Sequence, residues 1–265
     1  MTTKLTKEDL KKDIVTEELQ KGFVWTTKHV NAVLVFLIGF ILVGAGYSAY
    51  SYLDTKKEEE SQELYYQAEK LYLNQKQKFE TYEAEANKPP VAKKDKAEKE
   101  AATEPKGEKP SGDLTKDYGK AVTELEAVLS KEPGSNAAKM AALTLADIYS
   151  KYQMNDKASS SLDKVKTDSG LLSALVLDRK ATTKADLGDC KTAVAVWDQV
   201  LAQKSAKFMA AEIKLKKGLC LESMNDAAGA KAMYSQAKEG DGQSSAAKTA
   251  DKYLQALSAK ESATK

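Results

Sequence analysis

The chain has 265 residues, of which 30% are charged, and its net charge at pH 7 is only +2. Because no basic stripe runs beside stacking aromatics, nucleic-acid binding is not expected. One histidine and two cysteines without a CxxC motif argue against a metal site, a cofactor and histidine-based catalysis. No nucleophile–base set or phosphate-binding loop is visible either, so we expect a protein that is not an enzyme and has no small-molecule substrate.

Residues 1–29 are polar and of mixed charge. Four apolar residues at helical spacing predict one apolar side: Leu10, Ile14, Leu19 and Phe23. We interpret this segment as a short, loosely ordered cytoplasmic helix. The only histidine, His29, is interpreted as a residue at a membrane interface.

An uncharged apolar stretch of 24 residues, 30–53, comes next. A helix of this length covers about 36 Å, enough for a hydrocarbon core of about 30 Å. We therefore predict one transmembrane helix. A cleaved signal peptide is one alternative, although its apolar core has only about 7 to 15 residues. A buried helix of a soluble domain is the other, although this length without a charge is unusual for one.

The distribution of lysine predicts the orientation of this helix. The short amino-terminal segment before it carries lysines that include Lys11, Lys12, Lys21 and Lys28, and Lys56, Lys57 and Lys70 are found after it. Because positive charge is retained in the cytoplasm, we expect a cytoplasmic amino terminus and a carboxy-terminal domain on the outer side.

Two contrasting segments follow the apolar stretch. Residues 54–86 carry apolar side chains three and four apart, including Leu64, Ala68 and Leu71, which predicts a juxtamembrane helix. Residues 87–113 contain four of the chain's five prolines and many charges. Such a segment cannot bury enough apolar surface to offset its ordering entropy, so we predict a disordered insertion.

Residues 114–265 contain an internal repeat within short helices. Small residues recur at intervals of 37, 35 and 37, at Ala121, Ala158, Ala193 and Ala230. A larger apolar residue follows each one four positions later: Leu125, Leu162, Trp197 and Tyr234. This pattern resembles the tetratricopeptide repeat, a helix–turn–helix unit of about 34 residues.

The resemblance predicts an all-α solenoid. Its first unit takes its first helix from residues 54–86, so that the insertion interrupts this unit. A final helix at 246–259 is expected to act as a cap. Three lysines stand where the repeat usually has apolar residues: Lys180, Lys184 and Lys217.

One apolar helix, a tyrosine-rich segment and degenerate repeats together resemble the membrane-anchored periplasmic repeat proteins, which include the ancillary subunit of the SecYEG translocon. The resemblance rests most on LGDCKTAVAVWDQVL from Leu187 and KLKKGLCLESMNDAAGAKAMY from Lys214. It implies a single-pass protein of the bacterial inner membrane with a periplasmic domain. Its implied partners are translocon subunits, periplasmic chaperones or exported chains. The alternative is a structural scaffold, or tether, of another cell-envelope complex.

In such arrays the first helix of each unit lines a concave groove that suits an extended peptide or a partner helix. Repeat positions predict eight groove residues: Leu143, Thr144, Asp147, Arg179, Thr182, Leu215, Lys216 and Leu219. A solvated helix face is the alternative for each of them.

The two cysteines, Cys190 and Cys220, belong to helices that the repeat pattern places side by side. In an oxidising periplasm a disulfide between them would persist. Two buried thiols that act as small apolar residues are the alternative.

Overall fold

The computed structural model describes residues 21–25, 27–88, 105–240 and 243–263, and the regular structure in these ranges is helical throughout, without a strand. It falls into two compact units, Met1–Lys56 and Lys57–Lys265. The helices that we number are α1 Val30–Ala86, α2 Leu114–Lys131, α3 Asn136–Lys151, α4 Asn155–Asp163, α5 Leu171–Asp186, α6 Cys190–Leu201, α7 Ala210–Ser223, α8 Ala227–Gly240 and α9 Ser245–Ala263. The predicted all-α fold is confirmed.

The first unit contains the apolar stretch as the beginning of α1, which continues without a break from Val30 to Ala86. Within the described residues, α1 is the one helix long and apolar enough to cross a membrane. None of its apolar window is buried against other parts of the chain, which does not fit the core helix of a soluble domain. A signal sequence meets the same criteria of length and composition. The prediction for residues 1–29 lies mostly outside the described residues.

The second unit is built from pairs of helices joined by short turns. The four small residues of the repeat, from Ala121 to Ala230, are buried, and so are the four larger residues that follow them. On the preceding helices Ala146 and Ala181 are fully buried as well. The predicted repeat therefore forms the core, because small residues let paired helices approach and large ones fill the neighbouring gap.

The part of α1 within the second unit supplies the first helix of the first pair. Its residues Tyr65, Ala68 and Phe79 are buried in one apolar cluster with residues of α2, α3 and α4. The ring of Tyr118 on α2 lies 5.5 Å from that of Phe79, edge to face. Leu71, which its spacing places on the same apolar side, is exposed. Aromatic contacts therefore join α1 to α2 across the intervening insertion.

The three lysines that depart from the repeat pattern pair with carboxylates of the preceding helix. Lys180 Nζ lies 2.6 Å from an Asp163 oxygen, and Lys184 Nζ lies 3.6 Å from the other. Lys217 pairs with Asp198 in the same way. Asp163 and Asp198 each directly follow the large apolar residue of their helix. The acids that pair with these lysines therefore occupy equivalent repeat positions on the preceding helices.

The insertion, residues 87–113, is described only at its ends, and residues 89–104 lie outside the described residues. The end at 105–113 differs from the prediction of disorder. The Glu108 N–H donates to the Lys78 carbonyl at 3.3 Å. The backbone N–H groups of Ser111 and Gly112 donate to the buried Asp117 carboxylate. Hydrogen bonds of the backbone therefore hold this end, together with the ion pair between Lys78 and Glu108 at 3.3 Å.

Candidate partner-binding groove

The predicted groove residues lie on α3, α5 and α7, the first helices of three successive pairs. On α3 and α5, Asp147 and Thr182 each follow the buried small residue of their helix. Leu219 follows Gly218 in the same way on α7. Because the three positions are equivalent, they share one face of the solenoid.

The charged residues among the eight are paired. Arg179 Nη2 lies 2.9 Å from Asp147 Oδ1, and so connects α5 to α3. Lys216 Nζ lies 2.9 Å from Asp178 Oδ2, and so connects α7 to α5. Asp178 also accepts a hydrogen bond from Trp197 Nε1 at 2.9 Å. The groove thus contains ion pairs between neighbouring helices, and its charges neutralise one another.

The pKa of Lys216 reflects this pairing. Partial burial lowers the pKa of the ammonium, but the hydrogen bond to Glu212 and the charge of Asp178 outweigh it, so the pKa is raised overall. Lys216 therefore stays protonated and paired at neutral pH.

The uncharged groove residues divide into two kinds. Leu143 and Leu215 are half-buried: Leu143 packs on the cluster of α1 to α4, and Leu215 packs on the cluster around Tyr234. Thr144 is half-buried too, and its hydroxyl donates to the Met140 carbonyl at 3.1 Å. Leu219 is 39% exposed, which leaves it as the most accessible apolar residue of the predicted set.

Two separate depressions lie among these residues. One, of about 320 Å³, brings Thr182, Lys216 and Leu219 together with Trp197 and the two cysteines. The other, of about 150 Å³, places Asp147 beside aromatic residues of α1 and α2. The structure therefore gathers three of the eight residues at one place and puts Asp147 at another.

Sequence reasoning missed three exposed apolar residues at the beginning of the same helices: Met140, Leu171 and Leu175. Met140 and Leu175 each stand seven positions before a predicted groove residue, Asp147 and Thr182. Because seven residues are close to two helical turns, they share its face. This spacing was available in the sequence and could have identified them.

Comparison with known proteins gives the family. Residues 24–217 match the model of the tetratricopeptide repeat-like domain. This match covers most of the chain, from before the apolar stretch to the middle of α7. The chain belongs to the tetratricopeptide repeat-like domain family. Domains of this kind are protein–protein interaction modules.

Two solved structures of MamA resemble this tetratricopeptide repeat-like chain. The first is 20% identical and covers 58% of this chain and 96% of the MamA chain, with a TM-score of 0.38. The second is 21% identical and covers 57% and 88%, again with a TM-score of 0.38. Such a distant likeness carries no argument about function. Among curated protein sequences, none matches the chain.

The two cysteines of the repeat-like domain form a disulfide in the structure. The Cα atoms of Cys190 and Cys220 lie 5.2 Å apart, within the range that a disulfide requires. The bond connects the first residue of α6 to α7, and Ser223 Oγ donates to Cys190 Sγ at 3.3 Å. Across the described residues, no group of three or more His, Cys, Asp or Glu side chains is placed to hold a metal ion.

Proposed function

We propose that this protein is a membrane-anchored protein-binding module of the bacterial inner membrane, whose repeat domain lies in the periplasm. There it assists protein translocation, or the handover of exported chains to chaperones, at the Sec translocon. The observation that carries the proposal is the family match over residues 24–217, because it includes both the apolar stretch and three of the helix pairs.

The groove supports a protein ligand rather than a small molecule. The depression around Leu219 is widely open to solvent, and the accessible apolar side chains of the groove are spread along three helices. An extended chain or a helix can contact such a surface at several points, whereas a small ligand needs an enclosing pocket. The ion pairs of the groove leave its apolar residues as the main source of binding free energy.

Photo-crosslinking in intact cells tests the proposed partners. The crosslinker belongs at Leu219, because Leu215 is half-buried against the Tyr234 cluster. Adducts with translocon subunits, periplasmic chaperones or nascent exported chains are expected. Leu187 is the matched control, because it is 40% exposed in the turn after α5 and does not line the depression around Leu219. Equal adduct patterns at both positions would contradict groove binding.

Localisation has its own test. The protein should resist alkaline extraction from membranes, and its repeat domain should be digested by protease in spheroplasts but not in intact cells. Release by alkaline extraction would contradict the anchor, and protection in spheroplasts would contradict the orientation. Adducts from Leu219 with one fixed envelope complex outside secretion would instead support the scaffold.

A further inference from the structure

The edge of the repeat domain that precedes α3 contains the first residues of the second unit. Lys57 Nζ lies 4.0 Å from the Glu132 carboxylate. Both oxygens of Glu58 accept the Asn136 N–H at 3.0 Å. Residues 57–60 therefore lie beside the loop between α2 and α3.

Two further loops continue this edge. The Lys166 N–H donates to the Pro133 carbonyl at 3.0 Å, so the loop between α4 and α5 lies next to that between α2 and α3. Ser205 Oγ donates to the Ser169 carbonyl at 3.0 Å, which adds the segment 203–209 between α6 and α7. Hydrogen bonds thus align four segments, namely the start of the domain and the three loops that connect successive helix pairs.

The last two of these segments carry unpaired positive charge. They contain four exposed lysines, none of which has a carboxylate within 4.0 Å in the described part of the chain: Lys164, Lys166, Lys204 and Lys207. The one acid within residues 164–170 and 203–209, Asp168, pairs with Lys139 at 2.7 Å. The acidic residues 58–60 are at the other end of the edge, so the lysines form a separate basic group.

Phe208 lies directly beside Lys207 and is 71% exposed. It is the most exposed large apolar side chain described in the second unit. An aromatic ring among lysines is typical of surfaces that contact the interface of a bilayer, where the ring enters the headgroup region and the ammonium groups meet phosphates.

The proposed anchor and the second unit follow each other directly along the chain. The predicted span ends at Leu53 and the second unit begins at Lys57. Because a residue extends the chain by at most about 3.5 Å, no more than about 14 Å of chain separates them. Such a tether raises the effective concentration of the whole second unit, and with it of the lysines, at the surface, where anionic lipids attract positive charge within about a Debye length.

We infer that Lys164, Lys166, Lys204, Lys207 and Phe208 form a lipid-contacting edge that binds anionic phospholipid headgroups. This inference rests on the proposed membrane anchor. The lysines bind the phosphates and Phe208 enters the interface. The bound edge restrains the orientation of the repeat domain, and with it the groove, relative to the bilayer.

Photo-crosslinking of the full-length protein in nanodiscs tests this edge. p-Benzoylphenylalanine replaces Phe208, and the nanodiscs contain either phosphatidylglycerol with phosphatidylcholine or phosphatidylcholine alone. Mass spectrometry then counts lipid adducts. We expect at least about tenfold more adducts with phosphatidylglycerol, and a similar loss when Lys164→Gln, Lys166→Gln, Lys204→Gln and Lys207→Gln are combined.

Two controls separate specific contact from chance collision. The same label at Leu187 lies at the opposite end of α5, and should give few lipid adducts. The charge control combines Lys116→Gln, Lys120→Gln, Lys191→Gln and Lys252→Gln, which removes equal charge from exposed positions elsewhere. This variant should keep the adducts at position 208.

Equal adduct yields at positions 208 and 187 would overturn the lipid-contacting edge, as would yields that ignore both lipid charge and the four lysines. Adducts with protein instead of lipid would overturn it as well. A chain that does not enter nanodiscs would contradict the membrane anchor itself, so the two failures are distinguishable.

Discussion

At the residue scale, the repeat depends on close approach at a few small side chains. Gly218 on α7 is the tightest example. A Cβ atom added there would lie 2.3 Å from Cε1 of Tyr234 on α8, and 2.6 Å from its Cδ1. Tyr234 is fully buried and its hydroxyl donates to Glu222 at 3.1 Å, so its ring has little freedom to move away.

Gly218→Ala should therefore destabilise the repeat domain by about 1–3 kcal/mol, because overpacking outweighs the helix propensity gained. The matched control is Gly119→Ala on α2, where the added Cβ would meet only a methyl group of Thr115 at 3.5 Å. This variant should be neutral or slightly stabilised. Urea unfolding followed by circular dichroism measures both. Equal stability of the two variants would contradict the packing argument.

A second contribution of a single residue to stability comes from Asp168, which neutralises a buried cation. Lys139 is 3% exposed, and its ammonium lies 2.7 Å from the Asp168 carboxylate. The hydrogen bond from Lys139, together with those from Ser173 and the Gly170 N–H, holds the pKa of Asp168 well below its usual value.

A lowered folded-state pKa stabilises the protein above the unfolded-state pKa, which is about 4, and this stabilisation is lost as the pH falls toward the folded-state pKa. Asp168→Asn should lower the free energy of unfolding at pH 7 by about 2 kcal/mol, because it leaves the buried Lys139 ammonium without its carboxylate, although solvent around the exposed Asp168 screens part of the pairing. It should also flatten the decline of stability below pH 4. Glu124→Gln on the exposed side of α2 is the control for removal of one acidic charge, and should leave the free energy of unfolding at pH 7 close to that of the unmodified chain. Parallel profiles for Asp168→Asn and the unmodified chain would argue against this pairing.

At the element scale, successive helix pairs are joined by ion pairs as well as by apolar contacts. Asp163 on α4 binds two lysines of α5, and Asp198 on α6 binds Lys217 of α7. In the preceding pair the equivalent acid, Glu126, accepts a hydrogen bond from the Tyr149 hydroxyl at 2.6 Å. The acid after the large apolar residue therefore recurs, while its partner on the next helix changes.

These two aspartates should differ in importance. Asp198→Asn should destabilise more than Asp163→Asn, because Lys217 is nearly buried whereas Lys180 and Lys184 are about a quarter exposed. We expect losses of about 2 and about 1 kcal/mol, respectively. Urea unfolding of the two single variants, side by side, measures the difference. A larger loss of stability for Asp163→Asn than for Asp198→Asn would show that burial of the lysine does not decide how much an ion pair contributes to stability.

At the scale of the whole molecule, both the disulfide and the apolar clusters connect neighbouring helix pairs. The cluster around Trp197 extends from α5 to α7 and contains Cys220. The bond from Cys190 to Cys220 therefore crosses a contact that apolar packing already forms. In an oxidising compartment this bond adds stability without changing the fold.

Reduction of the disulfide should lower the free energy of unfolding by about 3 kcal/mol, because it frees a loop of 30 residues in the unfolded chain. Thermal unfolding with and without a reducing agent measures the loss. The combined Cys190→Ala and Cys220→Ala variant should show no response to the reducing agent. Thiol trapping in intact cells should find both cysteines protected. Free thiols there would contradict the periplasmic location of the repeat domain.

The sequence alone determined which residues of the repeat form the core. Small residues such as Ala158 and Ala193 and large ones such as Trp197 were identified from their spacing, and they are buried, because helical periodicity decides which side chains share a face. The tertiary structure alone decided the partners of charged and edge residues. Lys180 meets Asp163, and Leu215 packs on the Tyr234 cluster. Such contacts join different helices, and only the packing of those helices brings their side chains within reach.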